Sequence, residues 1–176
     1  MMELEQMSSL VIRLMIGKQW AETHPLWMTQ VAILTPDIDR LTQFYQEVLG
    51  IAPYRVGNYG DNLAMDAVVD LDSLSFRASW FMLDGKGKKL ELMQYDQPIA
   101  TPNKLHQRMP TDLGYSYSFE VQDIHKEYNR LKAAGVDFLS APQEVENYWL
   151  VYARDIDGNV FSLRQPTNNA YSVLNF

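Results

Sequence analysis

Along this chain the apolar positions switch between two periods, one of two residues and one near 3.6, and each switch marks an element. Val31-Ala32-Ile33-Leu34 reads as a short strand, ended by Thr35-Pro36-Asp37. Ile38, Leu41, Phe44, Tyr45, Val48 and Leu49 then recur at helical spacing on one face. Asp37 suits the N-cap, because its carboxylate can accept the free backbone N–H groups of the first turn, and Gly50 can take the left-handed conformation that stops a helix. Three strands are predicted next, around Tyr54 to Val56, from Phe76 to Leu83 and from Lys89 to Gln94, with Gly85 and Gly87 in the turn between the last two. Asn58 to Ser75 reads as a loop or a short strand.

The same order then repeats. A strand from Tyr115 to Val121 leads to Asp123 as N-cap, a helix carrying Ile124, Tyr128 and Leu131 on one face, and Gly135 as its stop. Strands follow at Val136 to Leu139, Tyr148 to Ala153 and Val160 to Arg164, the last two joined through Asp155-Ile156-Asp157-Gly158-Asn159. Asp37 and Asp123 stand 86 residues apart at equivalent points, and an internal duplication of a βαβββ unit accounts for nearly everything after residue 28. The chain divides into a helical extension over residues 1–27, a first module over 28–96, a linker with Pro98, Pro102 and Pro110 over 97–112, a second module over 113–168 and a tail over 169–176.

Composition narrows the partners. A chain of 176 residues with 47% hydrophobic positions can bury a full core. Its net charge of −7 disfavours nucleic acid and anionic membrane, since phosphate recognition needs clustered Lys and Arg that no stretch supplies. A small molecule fits better. The absence of cysteine excludes disulfides and thiolate metal sites and suits a reducing cytoplasm. Leu10 to Ile16 is broken by Arg13 and reads as neither signal peptide nor membrane span.

Gln30-Val31-Ala32-Ile33-Leu34-Thr35-Pro36-Asp37, Phe44-Tyr45 and Val48-Leu49-Gly50 resemble the opening strand and helix of glyoxalase-type modules. Leu90-Glu91-Leu92 resembles the strand that closes the first module. Glu120-Val121-Gln122-Asp123-Ile124, Leu131-Lys132-Ala133-Ala134-Gly135-Val136 and Arg154-Asp155-Ile156-Asp157-Gly158-Asn159 resemble the second. Together they cover roughly residues 29–166, and their order identifies the chain as a member of the vicinal oxygen chelate superfamily, which includes glyoxalases, bleomycin-resistance proteins and extradiol dioxygenases. The resemblance implies an α+β fold, two βαβββ modules forming a glyoxalase-like pseudo-barrel with an open cavity, and pairing as a homodimer.

Metal-using members of that superfamily take one ligand from each of four strands. By resemblance those positions fall here on Gln30, Glu91, Ser116 and Ser162. An amide oxygen and a carboxylate are usable donors, whereas serine hydroxyls are poor ligands for Zn²⁺, Ni²⁺ or Fe²⁺. No cofactor is therefore expected, and a divalent metal is doubtful. Glu91 is either a ligand or general base or a solvated carboxylate paired with Lys88 or Lys89. Gln30 is either a ligand or a hydrogen-bonding wall residue. Ser116, Ser118 and Glu120 share a face by alternation, as do Ser162 and Arg164, so a polar lining of one half of the cavity competes with a solvated sheet face. Glu120 and Arg164 are candidates to pair with each other.

His24, His106 and His125 fall off the predicted inward faces and read as surface or capping residues, and the Asp155-to-Asn159 stretch reads as a hairpin turn rather than a calcium loop. Trp80 and Tyr148 are among the strand aromatics placed to meet a flat ligand, because neighbours such as Tyr148 and Trp149 must face opposite ways. Two functions compete. The first is metal-independent binding of a small hydrophobic or aromatic molecule, similar to the drug-sequestering members. The second is a glyoxalase-like lyase or epimerase with Glu91 as base. A dioxygenase is disfavoured, since its iron site needs two histidines.

Overall fold

The first helix of each module begins where an aspartate caps it. In the computed structural model, which describes residues 28–83, 88–99, 114–168 and Ser172, the carboxylate of Asp37 accepts the backbone N–H of Arg40 over 3.1 Å. Asp123 accepts that of Lys126 over 3.0 Å. Gly50 closes the first helix at φ 66°, and Ala134 and Gly135, the latter at φ 90°, close its counterpart. The first module runs β1 (Gln30–Leu34), α1 (Ile38–Leu49), β2 (Arg55–Tyr59), α2 (Leu63–Val69), β3 (Ser75–Met82) and β4 (Lys89–Gln97). The second runs β5 (Tyr117–Glu120), α3 (Ile124–Ala133), β6 (Asp137–Phe138), β7 (Gln143–Val145), β8 (Tyr148–Arg154) and β9 (Val160–Pro166).

The duplication is visible in the pairing. One sheet has the order β1-β4-β3-β2 and the other β5-β9-β8-β6, with β7 also paired to β8. In each, the opening strand runs parallel to the closing strand and the remaining neighbours are antiparallel. One face of each sheet joins a single core: Ile33, Phe81, Leu90 and Leu92 from the first, Val151, Phe161 and Leu163 from the second, with Leu41 and Tyr45 of α1 and Ile124 and Leu131 of α3 between them. By alternation the other face of each sheet points away from that core.

Polar groups lock the seam between the modules. Buried Asp155, in the β8–β9 turn, accepts the Tyr45 hydroxyl over 2.9 Å, together with the backbone N–H groups of Asp157 and Asn159 and the Asn159 amide. The Tyr117 hydroxyl bonds to that of Tyr45. Burial is the main reason both tyrosines titrate well above the ordinary phenol range, and it raises Asp155 against its hydrogen bonds. Arg130 of α3 donates to the carbonyls of Glu47 and Val48, both over 2.8 Å, at the end of α1, where the last helical carbonyls lack intrahelical partners.

Three expectations are corrected. Asn58 to Ser75 is neither a loop nor a lone strand: β2 continues to Tyr59, and Asn62 caps α2 by accepting from Ala64 and Met65. Ser116 lies outside β5, which starts at Tyr117, and is exposed. A three-residue strand, β7, precedes β8 where none was predicted. The Asp157-Gly158 turn forms as expected, closed by Gly158 N–H to Asp155 O at 3.0 Å. The extension over residues 1–27, Gly85 and Gly87, His24, His106 and most of the linker and tail lie outside the described residues.

Candidate functional site

On the first sheet's second face, four positions line up in register across four strands: Arg55 on β2, Trp80 on β3, Glu91 on β4 and Ala32 on β1. Ala32 leaves room beside Glu91, and Gln30, one pleat along, fills it. Its Nε2 donates to Glu91 Oε2 over 2.5 Å. Glu91 is only 7% exposed, although Gln30 itself is exposed. Burial raises the Glu91 carboxyl above its ordinary range, partly opposed by a hydrogen bond from the Trp80 side chain and by the nearby charge of Lys89.

From Trp80 onward along the strands the same face is aromatic. Tyr59, Trp80, Met93 and Tyr95 pack with buried Phe76 and Ala78, and α2 adds Met65 and Val69. Tyr59 stacks on Phe76 at 5.0 Å and meets Trp80 edge-on at 5.7 Å. Gly57 makes this possible, since a Cβ there would fall 2.7 Å from the Tyr59 hydroxyl. Beneath α2 lies a cavity of about 160 Å³ walled by Tyr59, Phe76, Met65 and Leu74, with Asn58 and Asn62 at its polar side.

The second sheet is built differently. Ser118 and Ser162 are neighbours in register and their hydroxyls bond to each other at 2.6 Å. Ser116 takes no part in this pair. Glu120 stands beside Arg164 in register but accepts the Ser172 hydroxyl. The Arg164 guanidinium lies 4.0 Å over the Tyr148 ring, and its buried Nε has no partner. Tyr148 and Trp149 do face opposite ways, for Trp149 packs on the core and meets exposed His125 edge-on at 4.8 Å.

The predicted residues thus form two groups. Gln30, Trp80 and Glu91 gather on one sheet, and Ser118, Ser162, Tyr148 and Arg164 on the other. Gln30 and Glu91 are the only predicted ligand pair in contact that includes a carboxylate, and among the described residues no three His, Cys, Asp or Glu side chains cluster to hold a metal ion. Sequence reasoning missed Arg55, whose guanidinium sits over Trp80 and Tyr59. It also missed the cavity under α2. The one available signal was the alternation of Arg55, Gly57 and Tyr59.

Two βαβββ modules with parallel opening and closing strands are a restrictive pattern, and comparison with known proteins resolves it. The family model of the Glyoxalase/Bleomycin resistance protein/Dioxygenase superfamily matches residues 27–163. The chain belongs to this superfamily. It is 27% identical over 135 residues to the protein YetH of Bacillus subtilis (strain 168), a match covering 77% of this chain and 94% of YetH. A glyoxalase family protein from Bacillus cereus superposes with a TM-score of 0.71 at 24% identity, over 83% of this chain and 97% of that one. The genomically encoded fosfomycin resistance protein of Listeria monocytogenes superposes at 0.53 with 16% identity, over 84% and 98%. At these identities the superpositions bear on the fold alone. Among the described residues, no helix of this superfamily member is long and apolar enough to cross a membrane.

Proposed function

We propose that this superfamily member binds a small organic molecule with an apolar or aromatic body on the second face of its first sheet, without help from a transition metal. The observation that carries the reading is a nearly buried carboxylate, Glu91, hydrogen-bonded by the Trp80 side chain, on a face where Trp80 joins an aromatic cluster with Tyr59, Phe76 and Tyr95. Aromatic walls supply most of the affinity for such ligands, and a few fixed polar groups orient them. Metal is left out because of donor chemistry. One carboxylate with one amide, and two hydroxyls already bonded to each other, make a poor set for Zn²⁺, Ni²⁺ or Fe²⁺.

The working form in this reading is a homodimer, for each module turns its second face away from the core it shares within the chain. A reducing cytoplasm is its proposed setting, in keeping with the lack of cysteine. The test is titration of one- and two-ring aromatic compounds against tryptophan emission, with sugar phosphates as comparison. The aromatics bind, the sugar phosphates do not, and Trp80→Ala weakens binding by about tenfold. Equal response to both classes would overturn the reading.

One observation favours a second reading. Burial raises the Glu91 carboxyl toward the range of a general base. As a lyase or epimerase, Glu91 would take the proton from a C–H next to a carbonyl, the electron pair would move to the carbonyl oxygen, and the Gln30 amide would donate to the enolate. The Glu91 carboxyl then exchanges its proton with solvent and delivers a solvent-derived one to carbon. Deuterium uptake from D₂O into α-hydroxy carbonyl compounds, lost in Glu91→Gln, would support it, and no uptake would exclude it.

A further inference from the structure

Six arginines are among the described residues, and four of them pair with carboxylates: Arg40 with Asp157, Arg77 with Asp39 and Asp96, Arg130 with Glu47 and Glu127, and Arg154 with Asp137. Arg55 and Arg164 do not. In a chain with 22 acidic side chains against 15 Lys and Arg, carboxylate partners are plentiful, so two unpaired guanidiniums call for a reason. Both lie on aromatic rings, and both are on the sheet faces turned from the core. Arg55 sits 5.0 Å from the Trp80 ring centre and 5.6 Å from that of Tyr59. Arg164 sits over Tyr148 with a buried, unpartnered Nε.

Ring stacking fixes a guanidinium by its flat face. It leaves the N–H donors on the rim free, in the fork that matches a carboxylate with two parallel hydrogen bonds. Gly57 helps to build this arrangement, because only a residue without Cβ lets Tyr59 fold back toward Arg55. In register, Arg55 and Glu91 stand on either side of Trp80, two strand spacings or about 10 Å apart at the backbone. The row offers a cation, a flat apolar surface and a proton acceptor in that order.

We infer that Arg55 receives a carboxylate, so that the ligand is an organic acid whose anionic end meets Arg55, whose apolar body lies on Trp80, and whose hydrogen-bond donor or acidic C–H meets Glu91. This rests on the binding reading above and names the chemical class of its ligand. The Lys89 ammonium, on the same face beside Glu91, adds to the attraction for an anion.

The test titrates the full chain with a panel of one- and two-ring aryl carboxylates, such as phenylacetate, and with the neutral amide of each. Wild type is compared with Arg55→Met, which retains the contact over the rings but removes the charge, and with Arg55→Lys, which keeps charge without the fork. The acids bind wild type about tenfold or more tighter than their amides, as expected for hydrogen bonds to a charged group. Arg55→Met abolishes that preference, so that acid and amide bind alike, and Arg55→Lys restores only part of it. Equal binding of acid and amide to wild type, or a preference that survives Arg55→Met, overturns the assignment of Arg55 while leaving the aromatic-binding reading in place. Failure of every acid and amide to bind overturns both. Circular dichroism of the exposed-site variants separates loss of recognition from loss of fold.

Discussion

Gln30 Nε2 donates to Glu91 Oε2 over 2.5 Å, from an exposed edge-strand residue to a carboxylate that is 7% exposed. Burial, the largest influence on Glu91, favours its neutral form, whereas the Trp80 side-chain hydrogen bond and the charge of Lys89 favour the ionised form. Because the folded-state value is raised, the contribution of Glu91 to stability is fully present below its unfolded-state value and is lost as pH rises through the folded-state value. Glu91→Gln flattens that part of the stability profile. Urea unfolding at a series of pH values through the acid range checks this, and an unchanged profile would count against a perturbed Glu91.

The seam between modules depends on a hydroxyl. Tyr45→Phe takes from Asp155 one of its hydrogen bonds inside the core and leaves the Tyr117 hydroxyl without its acceptor. The expected loss is about 1–3 kcal/mol, read from the urea midpoint at constant slope. Tyr117→Phe, which leaves the Tyr45–Asp155 bond intact, is the milder change.

Arg130 joins the modules through backbone. Its two N–H groups reach the Glu47 and Val48 carbonyls at the end of α1. Arg130→Ala is predicted to lower stability by about 1–2 kcal/mol, and Arg130→Lys recovers less than half of it, since a single ammonium cannot span both carbonyls as a fork does. Full recovery by lysine would mean that charge alone matters there.

Tyr59 owes its position to a missing side chain. Gly57→Ala places a Cβ against its hydroxyl, so the ring must swing away from Trp80 and Arg55. The predicted readout is a changed near-ultraviolet circular dichroism spectrum and tryptophan emission with little change in the far-ultraviolet signal. Spectra identical to wild type would show that the ring can stay in place.

Local signals carried most of the architecture. Asp37, Asp123 and Gly50 act within a few residues of themselves, and strand alternation needs only neighbours, so the modules and the separate faces of Tyr148 and Trp149 could be read directly. Helix α2 could not. Its seven residues are apolar on both sides, with Leu63 and Val68 exposed and Met65 and Val69 packed inward, so no helical period stands out. Ser116 falls outside the strand because β5 starts two residues later than the alternation from Tyr115 suggests, and Ser118 holds the position beside Ser162. The Tyr45–Asp155 bond spans 110 residues, and the Arg55–Trp80–Glu91 row exists only once three strands are in register. Pairings of that kind depend on topology, which single-chain periodicity does not encode.

As proposed, the Trp80–Glu91 face binds its ligand without a transition metal. This is tested most directly by titrating the same aromatic panel into protein stripped with a chelator and into protein supplied with Zn²⁺, Ni²⁺ or Mn²⁺, with metal content measured alongside. Equal affinities in all conditions and no stoichiometric metal are expected. Binding that appears only with metal, and is lost with the metal in Glu91→Ala, would contradict the proposal.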